Sequence, residues 1–293
     1  MDEYDSDSQE GHNDPSQPWP FEQQTASSSA SARDPDVIRL HEHHRYEEQV
    51  RADAYLRPYL PRQPRSLSGI AIRAFCLGIA AASSLSIAAG ILIFTDSPAW
   101  RPPFFVLALA TFHFLEFWTT AEANTRIVTT DSFLLTANWP HYAIAHSFAF
   151  TESLLVSVFF PTRCWSPFGL GPVLLCLGLV ITAVGQFIRS MAMLHAGSNF
   201  NHEVQWYKSE SHELVTTGIY KYFRHPSYFG FFWWGLGTQL VLGNVISFFI
   251  YTGVLWWFFN RRIRYEEAML VSFFKDDYVQ YRARVSTWIP FIR

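Results

Sequence analysis

The chain has 293 residues; 49% are hydrophobic and only 16% charged, where soluble domains carry about 25% charged residues. That balance excludes an ordinary soluble globule, and the formal net charge of -3 singles out no partner; no nucleic-acid partner is expected. The three cysteines (Cys76, Cys164, Cys176) have no CxxC or CxxxC spacing and no metal motif is present, so Cys76 and Cys176, inside apolar runs, are expected as small core residues.

Residues 1–35 are rich in Ser, Pro and Asp and predict disorder, because they bury too little surface to offset chain entropy. The acidic start, without an apolar core, predicts no signal peptide. Residues 36–60 have the composition of a short polar helix, on which His41, His43 and His44 read as a solvated face rather than a metal tract. Residues 1–65 are therefore expected as a polar cytosolic tail. Apolar runs follow at Gly69–Phe94, Phe104–Ala121, Tyr142–Phe160 and Leu170–Leu194, each near the length that about 30 Å of hydrocarbon requires. Phe229–Leu242 and Val245–Phe259 are shorter and meet at Gly243-Asn244, which predicts a tight hairpin. The expected fold class is an all-α integral membrane protein of about six transmembrane helices. Residues 66–194 form its N-terminal helices, and residues 195–293 a catalytic region with the hairpin and a cofactor pocket on the cytosolic face. An even number of spans puts both termini on one side. The basic residues of segments 195–224 and 260–293 make that side cytosolic by the positive-inside rule.

Two polar islands stand out against this background: HELVTTGIYKYFRHPSY at 212–228 and RRIRYEE at 261–267. Ionisable groups beside lipid are costly, and such groups mark functional sites. Arg262 and Glu266 lie four apart on one helical face, which also suits a local ion pair of about 0.3–0.5 kcal/mol. Pro226 suits the first position of a new helix, whose free N–H groups would favour an anion. Tyr220, Tyr222 and Tyr228 read alternatively as an interfacial aromatic belt. Within the apolar runs, Arg189 has two readings, a site residue or a snorkelling side chain. Gln186 and Glu116 suit hydrogen bonds across helices. His113, on an aromatic stripe, is expected as a satisfied core histidine.

Taken together, SNFNHEVQ (198–205), HELVTTGIYKYFRHPSYFGFFWWGLGTQL (212–240), RRIRYEEAML (261–270) and FFKDDYVQYRARVSTWIPFI (273–292) resemble the isoprenylcysteine carboxyl methyltransferase family. The resemblance is dense over the C-terminal third and loose before it. It implies an endoplasmic-reticulum membrane enzyme that uses S-adenosyl-L-methionine to methylate the C-terminal prenylcysteine carboxylate of prenylated CaaX proteins such as small GTPases. It further implies cofactor contacts from Gln205, His212, Glu213, Leu214, Val215, Tyr220, His225, Pro226, Ser227, Tyr228 and Glu266. Arg262 would contact the substrate carboxylate, and Arg189 would stand near the reacting groups; no metal is implied. The rivals are a phospholipid N-methyltransferase, a membrane sterol reductase and a non-catalytic membrane scaffold.

Overall fold

The computed structural model describes residues 35–137, 139–162, 169–208 and 212–293. The expectation of disorder over 1–35 falls almost wholly outside them, as does Cys164. The chain divides at Pro58 into two units. In the first, α1 (Pro35–Leu56) has no buried residue. Its 22 residues form the expected polar helix, longer than a short one, and the tail is not structureless there. Its ion pairs, Arg39–Asp36, His43–Glu47 and Arg51–Glu47, are one helical turn apart at 3.6–3.7 Å and exposed, so each adds little.

The second unit is a helical bundle of α2 (Leu67–Phe94), α3 (Arg101–Ala123), the single turn α4 (Leu134–Ala137), α5 (His141–Phe159), α6 (Gly171–Ala196), α7 (Pro226–Leu242) and α8 (Val245–Arg284). Ser66 caps α2 by accepting from the Gly69 N–H at 3.1 Å. Among the described residues four segments, Leu67–Phe94, Pro98–Ala123, His141–Phe159 and Gly171–Asn199, are long and apolar enough to cross a membrane. The expected fifth and sixth spans form the hairpin α7–α8. With 17 residues, α7 is about 25 Å long, short of a full hydrocarbon core. Phe75, Ile79, Ile93, Val180 and Phe187 face outward. Cys76 and Cys176 do so too, contrary to the expectation of core positions. A span that is apolar all round carries no compositional mark of its inner face.

Backbone contact joins α6 to α7. Gly178 and Gly185 on α6, like Gly230 and Gly237 on α7, are seven residues apart. A Cβ on Gly185 would stand 2.7 Å from the Gly230 carbonyl oxygen and the Trp234 nitrogen, and one on Gly178 2.8 Å from the Val241 nitrogen. Helices in lipid associate by such close packing, since burial from water offers no drive there. One turn beyond Gly185 the same face presents Arg189 to the start of α7.

At the far end of the bundle, Gly243 adopts the left-handed conformation (φ 66°, ψ 30°) that closes the hairpin. Asn244 donates to the Ala149 carbonyl at 2.8 Å and to Gln239 Oε1 at 2.9 Å. Glu152 of α5 accepts from the Ile246 and Ser247 N–H groups at 2.8 and 2.7 Å, so a carboxylate from another helix caps α8. The RRIRYEE island is no loop: α8 continues as helix past Phe259 and is interrupted at Lys275 (φ 48°, ψ -122°). The C-terminal segment folds back beneath the island. Arg224 N–H donates to the Ser286 carbonyl at 3.0 Å, Trp288 Nε1 to the Tyr222 carbonyl at 3.1 Å, and Ile289 and Ile292 pack with Phe232, Phe259 and Ile263.

Candidate active site

The segment between α6 and α7 is pinned at several points. Asn124, ending α3, donates from Nδ2 to the carbonyls of Ser198 and Phe200, both at 3.1 Å. Asn199 Oδ1 accepts from the Glu213 N–H at 2.8 Å. Gly218 (φ 58°) makes a turn so close to His195 that a Cβ would lie 2.6 Å from its Nδ1, the atom that accepts from the Ile219 N–H at 3.0 Å. Pro226 then opens α7 at its first position, as its sequence suggested.

Two cavities result. The first, about 910 Å³ including its open mouth, is lined by Gln205, His212, Glu213, Leu214, Val215, Tyr220, His225, Pro226, Ser227, Tyr228 and Glu266, together with aromatic and apolar residues of α8 such as Met269, Phe273 and Phe274. All of the residues expected at a cofactor thus share one cavity. The second, about 1380 Å³ including its mouth, is lined by Arg189 and Arg262, by Tyr142, and by apolar groups including Leu134, Phe231, Phe258 and Phe259. Phe200, Asn201, Glu203, Ser227 and Tyr228 line both, and so form the partition.

Tyr228 is the hinge of that partition. Its hydroxyl accepts from Arg262 Nε at 2.7 Å and donates to Glu266 Oε2 in a very short hydrogen bond. No Arg262–Glu266 ion pair forms within 4.0 Å among the described residues, contrary to the local reading; the tyrosine is interposed instead. Arg262 Nη2 donates to the His202 carbonyl. Its guanidinium lies 5.4 Å from the Tyr228 ring and 5.9 Å from the Phe258 ring. Nη1 makes no hydrogen bond among the described residues, and Arg262 lines the second cavity.

Arg189 does not snorkel. It is 6% exposed and Glu116 only 1%, and the two form a bidentate ion pair, with Arg189 Nε on Oε1 and Nη2 on Oε2, the latter at 2.6 Å. Arg189 Nη1 donates to the Ser227 carbonyl and hydroxyl, both at 3.1 Å. Its guanidinium sits 5.3 Å from the Phe112 ring and 5.0 Å from that of Phe231. Glu116 does bond across helices, whereas Gln186 bonds Ser190 one turn along its own helix at 3.2 Å. His113 is buried, but among the described residues neither ring nitrogen has a hydrogen-bond partner, and it packs edge-on to Phe112 at 5.2 Å.

Around the first cavity, burial and the nearby Lys208 hold the His212 imidazole below its usual value, against the pull of Glu266, so the ring presents a neutral face. Burial, and after it Glu266, pushes the Tyr220 hydroxyl up; it stays protonated and donates to the Ala192 carbonyl at 3.2 Å. Arg224 Nε meets Glu267 at 2.6 Å and His225 Nε2 lies 3.2 Å from the same carboxylate. Burial raises the Glu267 carboxyl, but His225 and Arg224 outweigh it and hold the group below its usual value. The His225 ring stacks on Tyr228 with centroids 5.5 Å apart. Of the three tyrosines of the aromatic-belt reading, Tyr220 and Tyr228 line the cavity and only Tyr222 is exposed. Among the described residues no group of three or more His, Cys, Asp or Glu is placed to hold a metal ion.

Sequence reasoning missed the place of Asn201 and Glu203 in the partition, of His202 in the second cavity, and of Glu116 as the partner of Arg189. The one available signal was a lone carboxylate and a lone guanidinium in separate apolar runs, which lipid surroundings drive to pair.

A model of the isoprenylcysteine carboxyl methyltransferase (ICMT) family matches residues 176–272. The protein-S-isoprenylcysteine O-methyltransferase of Saccharomyces cerevisiae is 46% identical over 189 residues, which is 64% of this chain and 79% of the relative. Those of Xenopus laevis and Homo sapiens are 40% and 38% identical over 228 residues, covering 76% of this chain and 74% and 75% of theirs. A solved structure described as a eukaryotic intramembrane Ras methyltransferase superposes with a TM-score of 0.70 at 34% identity, covering 93% of this chain and 92% of that one. Identity at this level over most of each relative, on the same helical architecture, shows the family: the chain belongs to the isoprenylcysteine carboxyl methyltransferase family.

Proposed function

We propose that this protein methylates the C-terminal carboxylate of prenylcysteine on prenylated CaaX proteins such as small GTPases, with S-adenosyl-L-methionine as methyl donor, at the cytosolic face of the endoplasmic reticulum. The observation that carries the reading is the pair of cavities meeting at Tyr228, one with an unpaired guanidinium edge from Arg262 and the other with the Glu266 carboxylate. The first cavity has the residues that such a donor needs. Glu266 offers an acceptor for hydroxyl groups, the 212–215 backbone lies along one wall, and Phe273, Phe274 and the neutral His212 ring offer aromatic faces. When bound, S-adenosyl-L-methionine supplies a methyl group on a sulfonium sulfur.

The remaining tasks belong to the chain. An α-carboxyl has a reference pKa of about 3.3–3.7, so the nucleophile is already ionised and needs no base. Arg262 holds it in a planar guanidinium fork. The Phe231–Phe258–Phe259 wall excludes water, and the partition sets the approach of carboxylate to methyl group. Orientation of this kind is worth up to about 7–11 kcal/mol in well-aligned systems. The apolar side of the second cavity suits a prenyl chain, whose transfer from lipid to water costs about 0.8 kcal/mol per CH₂.

A phospholipid N-methyltransferase would methylate an amine and has no use for the Arg262 edge. A reductase using a phosphorylated dinucleotide needs uncommitted cations in the first cavity, where Arg224 is paired with Glu267. The test is methyl transfer from labelled S-adenosyl-L-methionine to N-acetyl-farnesylcysteine, with phosphatidylethanolamine as control. Label in the prenylcysteine ester is expected. Label in the phospholipid alone overturns the reading, and absence of S-adenosyl-L-methionine binding would favour a scaffold.

A further inference from the structure

The two arginines of the second cavity are not equivalent. Arg189 gives Nε and Nη2 to Glu116 and Nη1 to Ser227, and both members of the ion pair are buried. Its charge is cancelled and its fork is occupied. Arg262 meets no carboxylate among the described residues; its neighbours are the Tyr228 hydroxyl and the His202 carbonyl. His202 links the two halves, since its Nε2 lies 3.2 Å from Glu116 Oε2 while its carbonyl receives Arg262. A carboxylate entering the cavity is therefore repelled from the Arg189 side by Glu116 and attracted to the Arg262 side.

We propose that Glu116 is a positioning residue for the carboxylate substrate: by cancelling and locking Arg189 it leaves Arg262, among the described residues lining this cavity, as the arginine on which a carboxylate can settle. The inference rests on the reading of this cavity as the prenylcysteine site. A bare cross-link between α3 and α6 predicts only loss of folded enzyme when Glu116 is changed. Positioning predicts a change in what the folded enzyme prefers. With Glu116→Gln, shape is kept and charge removed, so Arg189 becomes a second, competing cation. Carboxylates then bind more tightly but in the wrong place, the pattern of improved ground-state binding with slower turnover.

The experiment compares N-acetyl-farnesylcysteine with its uncharged carboxamide as ligands of the full-length enzyme in detergent, with S-adenosylhomocysteine binding as the measure of folded sites. In Glu116→Gln the acid-over-amide affinity ratio is expected to rise about tenfold over wild type, since charges a few ångströms apart in a partly buried site interact by at least that much. Turnover per folded site is expected to fall by about tenfold or more. Adding Arg189→Gln to Glu116→Gln removes both charges and should return the ratio to the wild-type value, because Arg262 alone then sets it. An unchanged ratio in the single variant, with activity falling only in step with folded sites, overturns the proposal. So does a ratio near one in the double variant, which would mean that Arg189 holds the carboxylate. If the single variant does not fold the double variant decides, and failure of both to bind S-adenosylhomocysteine assigns Glu116 to structure and overturns the role. A wild-type enzyme that binds acid and amide equally would instead refute the reading of the cavity itself.

Discussion

Tyr228→Phe removes one oxygen atom and touches both cavities at once. That hydroxyl accepts from Arg262 at 2.7 Å and donates to Glu266. A hydrogen bond to a charged group contributes about 1.5–3 kcal/mol, and about 1.36 kcal/mol is tenfold in rate. Loss of the Arg262 anchor alone should therefore lower kcat/KM roughly tenfold to a hundredfold. The direction of the failure is also set. Arg262 and Glu266 stand four residues apart on α8, and with the tyrosine oxygen gone they can close on each other in a pair of about 0.3–0.5 kcal/mol. That closure turns the guanidinium away from the carboxylate and the glutamate away from the donor. KM for N-acetyl-farnesylcysteine should rise, and S-adenosylhomocysteine should bind several-fold more weakly by calorimetry. The ring itself remains, so its stacking with His225 should persist and the melting temperature should stay close to wild type. A variant whose kcat/KM stays within about threefold, or whose loss lies wholly in kcat with both affinities intact, refutes the idea that this hydroxyl holds the two cavities in register.

Arg262→Lys keeps the charge but gives up the fork and the Nε–H to Tyr228. Turnover should fall about a hundredfold, since a displacement on the order of 1 Å can cost that much, while S-adenosylhomocysteine affinity stays unchanged; near-normal turnover would give the arginine a purely structural part. Gly185→Val places side-chain atoms where a Cβ already stands 2.7 Å from Gly230 and Trp234 backbone, so the yield of folded protein in detergent should collapse, whereas Gly90→Val, at a glycine whose Cβ meets nothing within 4 Å, should not; equal yields would refute the backbone contact. The Glu267 carboxyl is held below its ordinary value of 4.5 by His225 and Arg224. Its stabilising part is thus present above pH 4.5 and lost as the pH falls through the lowered folded-state value. Melting temperature followed downward from pH 6 should drop more steeply in wild type than in Glu267→Gln, and parallel curves would show that the pairing adds nothing.

Much of this protein is legible along the chain because its signals are local. The apolar runs mark α2, α3, α5 and α6 to within a few residues, and Gly243-Asn244 marks the hairpin, since a left-handed turn favours glycine. Pro226 marks the first residue of α7. The two polar islands hold all but Gln205 of the residues expected at the cofactor that line the first cavity, because a chain in lipid keeps ionisable groups only where they are satisfied. The facing of the helices is another matter. Cys76 and Cys176 point outward, although their runs look like core, because an apolar surface toward lipid and one toward protein have the same composition. The partner of Arg189 lies 73 residues away, beyond any spacing rule. The i,i+4 rule paired Arg262 with Glu266 and was overruled by Tyr228, brought between them by the α7–α8 hairpin. Local sequence decides which residues can carry charge into a membrane; only the packing of α3, α6, α7 and α8 decides which of those charges meet, because in a medium without water every buried charge settles on whichever partner the helix contacts bring within reach.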